Sequence, residues 1–300
     1  MPICEIDPWR AQYFETTDCP ADVFIPTEDS DAWLWNPNHR WVYDKLMVAT
    51  RQGLAAAPHG IEPPQYPVFS KPIYNLKGMG VGSRALLSPG DYHAAYQPGH
   101  MWMPLLEGAH VSSDVALVDG APRWWGHANG IAGRDGTFDY WEIHTGSEPE
   151  LEAYAGEWCR RHLGGYTGMA NLETIGGRII EVHLRFADQW PDLYGHGWVG
   201  SLVHLYARGE WVFPHQQVHR AGYSVVLFMP HGRSYRHPPV DLLDSVRAIP
   251  GVSSVQITFH EKMAPERHAM PPGGFRVAIV NCWDLAAGRK ARNLLRDHFA

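Results

Sequence analysis

The chain has 300 residues, of which 45% are hydrophobic and 19% are charged, as in an ordinary globular protein with a buried core. Its net charge of −7 argues against non-specific binding of nucleic acid or of anionic membranes. The four cysteines are scattered and form no C-x-x-C pair, which argues against a disulfide framework and a zinc module. We therefore expect a protein without nucleic-acid or membrane partners.

The N-terminal region carries no recognisable targeting signal. No positively charged segment precedes an apolar one, and no apolar run reaches about 18 residues anywhere in the chain. These features predict a cytoplasmic protein. Residues 1–37 are rich in Pro, Asp and Trp and show little periodicity, which predicts a reduced, irregular N-terminal cap.

A helix, a strand and a glycine-rich loop are predicted next. Apolar spacing predicts a helix over residues 38–57, and VFSKPIYNL, residues 68–76, reads as a strand. The strand is followed by KGMGVGSR, residues 77–84. Such a loop exposes backbone N–H groups that can hold phosphate oxygens, although a surface turn is the ordinary alternative. It is not a Walker A loop, because no G-K-[ST] is present.

Two hairpins and a helix follow in the middle of the chain. Asp119-Gly120 is the turn signal of a hairpin over residues 111–131, and Gly176-Gly177 is that of a second hairpin over residues 168–186. Between them, Ser147 and Glu150 form the pattern of a capping box for a helix over 147–163. Strands and helices go on to interleave as far as the C-terminus. The pattern predicts a mixed α+β class.

The second hairpin carries an unusual charge pattern. In a strand, alternate side chains share a face, so three polar residues point one way and three apolar residues the other. The polar set is Glu181, His183 and Arg185, and the apolar set is Ile180, Val182 and Leu184. Glu173 lies on the partner strand, and two neighbouring carboxylates suit Mg²⁺. A solvated sheet face is the alternative explanation for this pattern.

The eighteen histidines give a weaker signal. They are spread along the chain, and the densest pair, His215 and His219, has helical spacing but lacks the Glu of an H-E-x-x-H motif. A histidine-rich metal-binding protein or metallohydrolase is therefore an alternative that the distribution disfavours.

The order and spacing of these motifs resemble the ATP-grasp ligases, in particular the branch of biotin carboxylase and the large subunit of carbamoyl phosphate synthetase. The similarity covers about residues 38–190. YDKLMVATRQGLAAAP is similar to the helix whose lysine reaches the nucleotide, and MANLETIGGRIIEVHLRF is similar to the metal hairpin. The resemblance implies an ATP-grasp domain over 38–300, with a lid-like subdomain at about 65–130 and a metal-hairpin and C-terminal subdomain at about 131–300.

The resemblance also implies a role for individual residues. Nucleotide binding is expected of Lys45, Lys71, Gly78, Gly80, Gly82, Pro104, Leu106, Glu107 and His110, Mg²⁺ binding of Glu173 and Glu181, and catalysis of His183 and Arg185. This chain departs from the family at His183, where the family has Asn, a better magnesium ligand than imidazole. The cap of about forty residues also stands where the family commonly has a Rossmann-like unit, so the substrate class is not carried over.

The function that the resemblance implies is ATP- and Mg²⁺-dependent ligation. A carboxylate would be activated as an acyl phosphate, with release of ADP, and captured by an amine or another nucleophile such as a thiol. The expected partners are a small-molecule carboxylate and amine, and a homodimer is a candidate assembly. The alternative is a degenerate ATP-grasp nucleotide-binding or assembly protein without turnover.

Overall fold

The computed structural model describes residues 3–4, 7–76, 80–214 and 220–300. Within these ranges the chain forms two antiparallel sheets, a short parallel strand pair and eight α-helices. The α+β class predicted from the sequence is confirmed.

The strands vary from two to twelve residues in length. In chain order they are β1 (Ile3–Cys4), β2 (Ile25–Pro26), β3 (Ala57–Pro58), β4 (Val68–Pro72), β5 (Arg84–Leu86), β6 (His100–Pro104), β7 (His110–Val118), β8 (Ala121–Ala132), β9 (Phe138–His144), β10 (Gly168–Ile175), β11 (Arg178–His183), β12 (Gly222–Met229), β13 (Val252–Ile257) and β14 (Phe275–Cys282).

The longest helices lie in the second half of the chain. In order the helices are α1 (Pro8–Ala11), α2 (Asp29–Trp35), α3 (Lys45–Arg51), α4 (Pro89–Ala94), α5 (Pro149–His162), α6 (Trp198–Arg208), α7 (Val240–Arg247) and α8 (Leu285–Phe299). Short 3₁₀ segments occur at Arg40–Tyr43, Pro191–Tyr194 and Pro265–Arg267. Across the described residues, no helix is both long and apolar enough to cross a membrane.

The larger sheet has eight strands in the order β11-β10-β7-β8-β9-β12-β14-β13, and the smaller has four in the order β3-β6-β4-β5. On one face of the larger sheet, Leu172 and Val182 pack with Trp158 of α5. On the other face, Met169 packs with Leu202 of α6. Both faces are therefore covered, and β11 forms one edge of the sheet.

Both predicted hairpin turns are confirmed. Asp119 and Gly120 have φ angles of 52° and 72° between β7 and β8, and Gly176 and Gly177 have φ angles of 55° and 73° between β10 and β11. Left-handed backbone at both central positions matches the right-handed twist of the flanking strands and explains the Asp-Gly and Gly-Gly pairs.

Two helix predictions were wrong in their boundaries. The helix predicted over 38–57 is a 3₁₀ turn followed by α3, whose N-cap is Asp44; its carboxylate accepts a hydrogen bond from the Met47 amide at 2.9 Å. The capping box at Ser147 does not form, because α5 begins at Pro149.

The N-terminal segment of residues 1–37 is less irregular than predicted, since it contains α2. The division into a cap, a lid-like subdomain and a C-terminal subdomain stays a prediction.

Candidate functional site

A β-bulge shapes the strand that carries the charge pattern. Glu173 of β10 lies opposite Glu181 of β11, but the next pair is Thr174 with Ile179, so Ile180 is the extra residue. Ile179 therefore joins the core, where the sequence pattern had placed Ile180. Glu181 and His183 share the opposite face, as predicted, and the bulge brings Glu173 and Asn171 of β10 onto that face beside them.

The two glutamates are each bound to a positive or polar partner. Lys45 of α3, buried with 5% of its surface exposed, places its Nζ 2.7 Å from Glu181 Oε1. The Nε2 of His110, at the start of β7, donates to Glu173 Oε2 at 3.1 Å. Burial raises the pKa of Glu173, but the hydrogen bond and charge of His110, together with the charges of His183 and Lys45, outweigh burial and lower the pKa to about 2. Glu173 is thus held as an anion, and Glu181 forms an ion pair with Lys45 on the same face of the hairpin.

Lys71 of β4 reaches the same hairpin from the smaller sheet. Its Nζ donates to the Ile180 carbonyl at 2.7 Å, so the bulged residue supplies the acceptor. Burial, and to a smaller extent the neighbouring Lys45, lowers the pKa of Lys71 to about 8. The two lysines therefore converge on β11 from different elements, and their binding of nucleotide stays a prediction.

His183 and Arg185 share a carboxylate that the sequence analysis did not identify. The Nδ1 of His183 donates to Asp29 of α2 at 2.9 and 3.0 Å. Arg185 holds the same carboxylate with two nitrogens, Nε at 3.0 Å and Nη2 at 3.1 Å. Burial opposes ionisation of Asp29, yet Arg185 and His183 hold the pKa of that carboxyl below its usual range. A residue of the predicted cap therefore lies inside the site.

The other nitrogen of His183 faces the glutamates. Its Nε2 lies 4.0 Å from Glu173 Oε1 and 3.8 Å from Glu181 Oε1, and only 2% of the residue is exposed. Burial alone would lower the pKa of the imidazole, but Asp29 outweighs it and raises the pKa. His183 therefore connects Asp29 with the pair of glutamates.

A second buried carboxylate supports the strands behind the site. Asp114 of β7 accepts hydrogen bonds from Asn171 Nδ2 at 2.7 Å, from the Ala187 amide at 2.9 Å and from the Tyr194 hydroxyl at 2.9 Å. Burial raises its pKa to about 6 against the effect of these donors. The network joins β7 and β10 to the segment that directly follows Arg185.

The segment that leads from β6 to β7 contacts the hairpin turn. It follows Pro104, the last residue of β6, and includes Leu106 and Glu107. The resemblance assigns these three residues to adenine and ribose. A Cβ built on Gly108 would lie 2.9 Å from the Gly176 Cα, and one built on Gly176 would contact the Glu107 carbonyl oxygen. Two main chains therefore touch at this point, and only glycine fits at both positions.

The predicted glycine loop joins β4 to β5 of the smaller sheet. Gly80 and Gly82 have φ angles of 60° and 80°, a conformation that glycine adopts readily. Gly78 lies outside the described residues, as do His215 and His219. The nucleotide-binding role of the loop stays a prediction.

The donor set fits a metal held jointly with a ligand. In the chain as described, no group of three or more His, Cys, Asp or Glu side chains is arranged to hold a metal ion on its own. Mg²⁺ is usually bound through one or two carboxylates together with substrate phosphates and waters, so a closed protein cage is not required. Glu173 and Glu181 lie directly opposite one another on adjacent strands, so their carboxylates would supply two such oxygen ligands; their role in Mg²⁺ binding stays a prediction.

Sequence reasoning missed Asp29 because its surroundings look like a polar surface. It stands in TEDSDAW, among other acidic residues, at a distance of 154 positions from His183. No spacing rule links the two, and the only available signal was an acidic residue at the start of a short apolar run. Sequence reasoning also missed Tyr43, whose hydroxyl donates to Asp29 Oδ1 at 3.3 Å.

No protein-family model matches the chain, and no curated protein matches it in sequence. Solved structures do resemble it. An L-amino acid ligase from Bacillus licheniformis has a TM-score of 0.62 and 14% identity, covering 96% of this chain and 82% of that one. Phosphoribosylamine–glycine ligase from Thermotoga maritima has a TM-score of 0.58 and 14% identity, covering 94% and 84%.

A third similar structure was solved with bound ligands. The biotin carboxylase domain of 2-oxoglutarate carboxylase from Hydrogenobacter thermophilus, in complex with MgADP and bicarbonate, has a TM-score of 0.56 and 15% identity, covering 85% of this chain and 66% of that one. At these identities the likeness concerns architecture. Together with the mixed α+β architecture and the antiparallel sheets described above, the likeness shows that the chain has the ATP-grasp fold.

Proposed function

We propose that the protein is an ATP- and Mg²⁺-dependent ligase that activates a carboxylate as an acyl phosphate and passes the acyl group to an amine or another nucleophile. The observation that carries the proposal is the convergence of Lys45, Lys71, Glu173, Glu181 and Arg185 on one hairpin. The fold, shared with ligases of this class, and the MgADP complex of one similar structure support it.

The lysines and glutamates would organise the triphosphate. Phosphoryl transfer depends chiefly on positioning and on neutralisation of charge. Lys45 and Lys71 are both 5% exposed, so their charges act in an environment that screens them little. Glu173 and Glu181 would hold Mg²⁺, which would supply neutralisation of the phosphate charge. On nucleotide binding, the two ammonium groups would exchange their present partners for phosphate oxygens.

Arg185 would hold the carboxylate substrate or its acyl phosphate. Asp29 already occupies the Nε and Nη2 side of the guanidinium, and Nη1 donates to the Phe186 carbonyl at 3.0 Å. A guanidinium has five N–H donors, so one donor on each terminal nitrogen is left by these three bonds. We therefore propose that a substrate anion meets the terminal edge of Arg185.

His183 is proposed as the general base for the incoming nucleophile. Its Nδ1 donates to a carboxylate and its Nε2 points to the other side, toward the glutamates. This is the arrangement in which a carboxylate orients an imidazole for proton transfer. The family's Asn cannot take a proton, so this role would be particular to the present chain.

Turnover can be tested with a panel of candidate substrates. Purified protein with Mg²⁺ and ATP is incubated with pairs of carboxylates and amines, with amino acids among them, and ADP release is measured. We expect ADP release that requires a carboxylate, and acyl-group transfer that requires the amine. Nucleotide binding without turnover across the panel would favour the degenerate binding protein. Failure to bind ATP by calorimetry would contradict both.

A further inference from the structure

Asp29 occupies a singular position in the site. It is the first residue of α2, only 3% exposed, and it comes from the segment that precedes the ATP-grasp core. Its two oxygens accept hydrogen bonds from three side chains, His183, Arg185 and Tyr43. The Tyr43 hydroxyl in turn accepts from the Leu184 amide at 3.1 Å. One carboxylate thus fixes three consecutive residues of the chain at the end of β11.

The contacts determine how the imidazole is presented. An ionised carboxylate can only accept hydrogen bonds, so the His183 nitrogen that faces Asp29 must carry a proton. That nitrogen is Nδ1, at 2.9 and 3.0 Å. In the neutral ring Nε2 then keeps its lone pair, on the side of Glu173 and Glu181. Without Asp29, either tautomer and either ring orientation would be open to His183.

Arg185 is constrained in the same way. Two parallel N–H···O bonds to a buried carboxylate fix the plane of the guanidinium as well as its position. Arg185 lies two residues beyond the end of β11, where no ladder hydrogen bond restrains it. Its aim toward a substrate therefore depends on Asp29.

We propose that Asp29 is a positioning residue of the reaction, through which the N-terminal segment sets the tautomer of His183 and the orientation of Arg185. The proposal rests on the proposed ligase function. It does not require Asp29 to touch substrate. It assigns residues 7–37 a part in the active site, where the sequence had indicated only a reduced cap.

Asp29→Asn is the direct test, with Asp31→Asn on the same helix as the matched control. The Asn side chain has the same size as Asp, but its NH₂ group is a donor. It therefore cannot accept the hydrogen bonds that His183, Arg185 and Tyr43 donate to the carboxylate. We expect kcat to fall about 10–100-fold, as when an orienting partner of a functional histidine is lost. The affinity for ATP, measured by calorimetry, is expected to stay at the wild-type value, and Asp31→Asn is expected to keep wild-type kcat. An unchanged kcat in a folded Asp29→Asn variant would overturn the proposal.

Double-mutant cycles separate positioning from a merely structural role. If Asp29 acts through its partners, Asp29→Asn should cost less in kcat when it is combined with His183→Asn or with Arg185→Lys. Costs that add fully in both cycles would overturn the proposal. A loss that appears only in the melting temperature, with kcat preserved, would do the same.

A measurement on the wild type covers the case in which Asp29→Asn does not fold. In protein labelled with ¹⁵N-histidine, the His183 signals are identified by their loss in His183→Asn. We expect a protonated, hydrogen-bonded Nδ1, and an unprotonated Nδ1 would overturn the proposal. This result does not depend on turnover, so failure of the ligase proposal and failure of the Asp29 proposal can be told apart.

Discussion

Two buried histidines of the larger sheet make an informative comparison. His183 of β11 and His127 of β8 are 2% and 0% exposed, and they lie on opposite faces of the sheet. His183 donates to Asp29, which Arg185 also holds. His127 lies between the Ser113 hydroxyl, 2.9 Å from its Nδ1, and Glu152 of α5, 3.3 Å from its Nε2.

The two environments shift the pKa in opposite directions. Burial lowers the pKa of both imidazoles, because the charged form loses its hydration. For His127 burial prevails over the bond to Glu152, so the pKa is lowered. For His183 the charge of Asp29, its hydrogen bond and the charge of Glu181 together outweigh burial, so the pKa is raised. Burial thus does not decide the charge of a histidine; the strength of its carboxylate partner does.

The same substitution at both histidines should separate function from structure. We expect His183→Asn to lower the rate by about 10²–10⁴, because a general base is lost. His127→Asn should keep the wild-type rate, since it lies on the face that packs against α5. The measurement is the rate of ADP release against pH. Coincident pH–rate profiles and similar rates for the wild type and His183→Asn would leave His183 as a spacer.

A glutamate lies near each of these two histidines, Glu181 near His183 and Glu152 beside His127, and the pair gives a second contrast. We expect Glu181→Gln to lower turnover at saturating Mg²⁺ by about 10²–10³, because charge stabilisation in the transition state is lost. Lys45 keeps an oxygen acceptor in the variant, so the melting temperature of the nucleotide-free protein should change little. Glu152→Gln, beside His127, is the control and should retain activity. Equal activity of the two variants would contradict the role of the metal hairpin.

The buried lysine of the site can be compared with an exposed one. Lys71→Ala should weaken ATP binding about 10–100-fold, the contribution of a charged hydrogen bond of roughly 1.5–3 kcal/mol. Lys262→Ala, at an exposed position, is the control. Because the pKa of Lys71 is about 8, the wild-type affinity should also fall as the pH rises above 8 and the amine loses its proton. Calorimetry with unchanged ATP affinity in Lys71→Ala would remove this residue from the site.

The smallest expected effect is the contribution of His127 to the pH dependence of the protein's stability. The pKa of His127 is lower in the folded than in the unfolded protein, where it is about 6.5. As the pH falls, the unfolded state therefore takes up the proton at a higher pH than the folded state does. The contribution of the neutral His127 to the free energy of unfolding is present above pH 6.5 and is lost as the pH falls below it. A single such group changes the free energy of unfolding by at most about 1.4 kcal/mol per pH unit.

His127→Gln should lack that part of the pH dependence. Urea unfolding of the wild type and the variant at pH 7.5 and 5.5 isolates the contribution, because the other titrating groups are common to both proteins. Parallel losses of stability in the two proteins would show that folding does not lower the pKa of His127.

The sequence predicted those parts of the site that lie close together in the chain. Alternation places Glu181 and His183 on one face of β11, as the sequence predicts. The pairing of Glu173 with Glu181 depends on the bulge, because a regular two-residue turn at Gly176-Gly177 would pair Glu173 with Ile180. The exception is Ile180, because a bulge has no reliable local signal. Lys45 and Lys71 were identified by resemblance, and their convergence on β11 depends on tertiary packing that periodicity cannot supply.

Asp29 marks the limit of what the sequence could predict. Its partners His183 and Arg185 lie more than 150 residues away in the chain, and acidic residues near a terminus are most often solvated. The helix predicted over 38–57 failed for a related reason: its apolar residues are divided between a 3₁₀ turn and α3, which a periodicity search joins into one helix. Tertiary contacts decided both cases.

The contact between Gly108 and Gly176 has a consequence for how the site can change. Because two main chains meet there without side chains between them, no point substitution can bring the segment before β7 closer to the hairpin turn. A larger residue at either position would force the two main chains apart, so substitution here can widen the span between them but cannot shorten it.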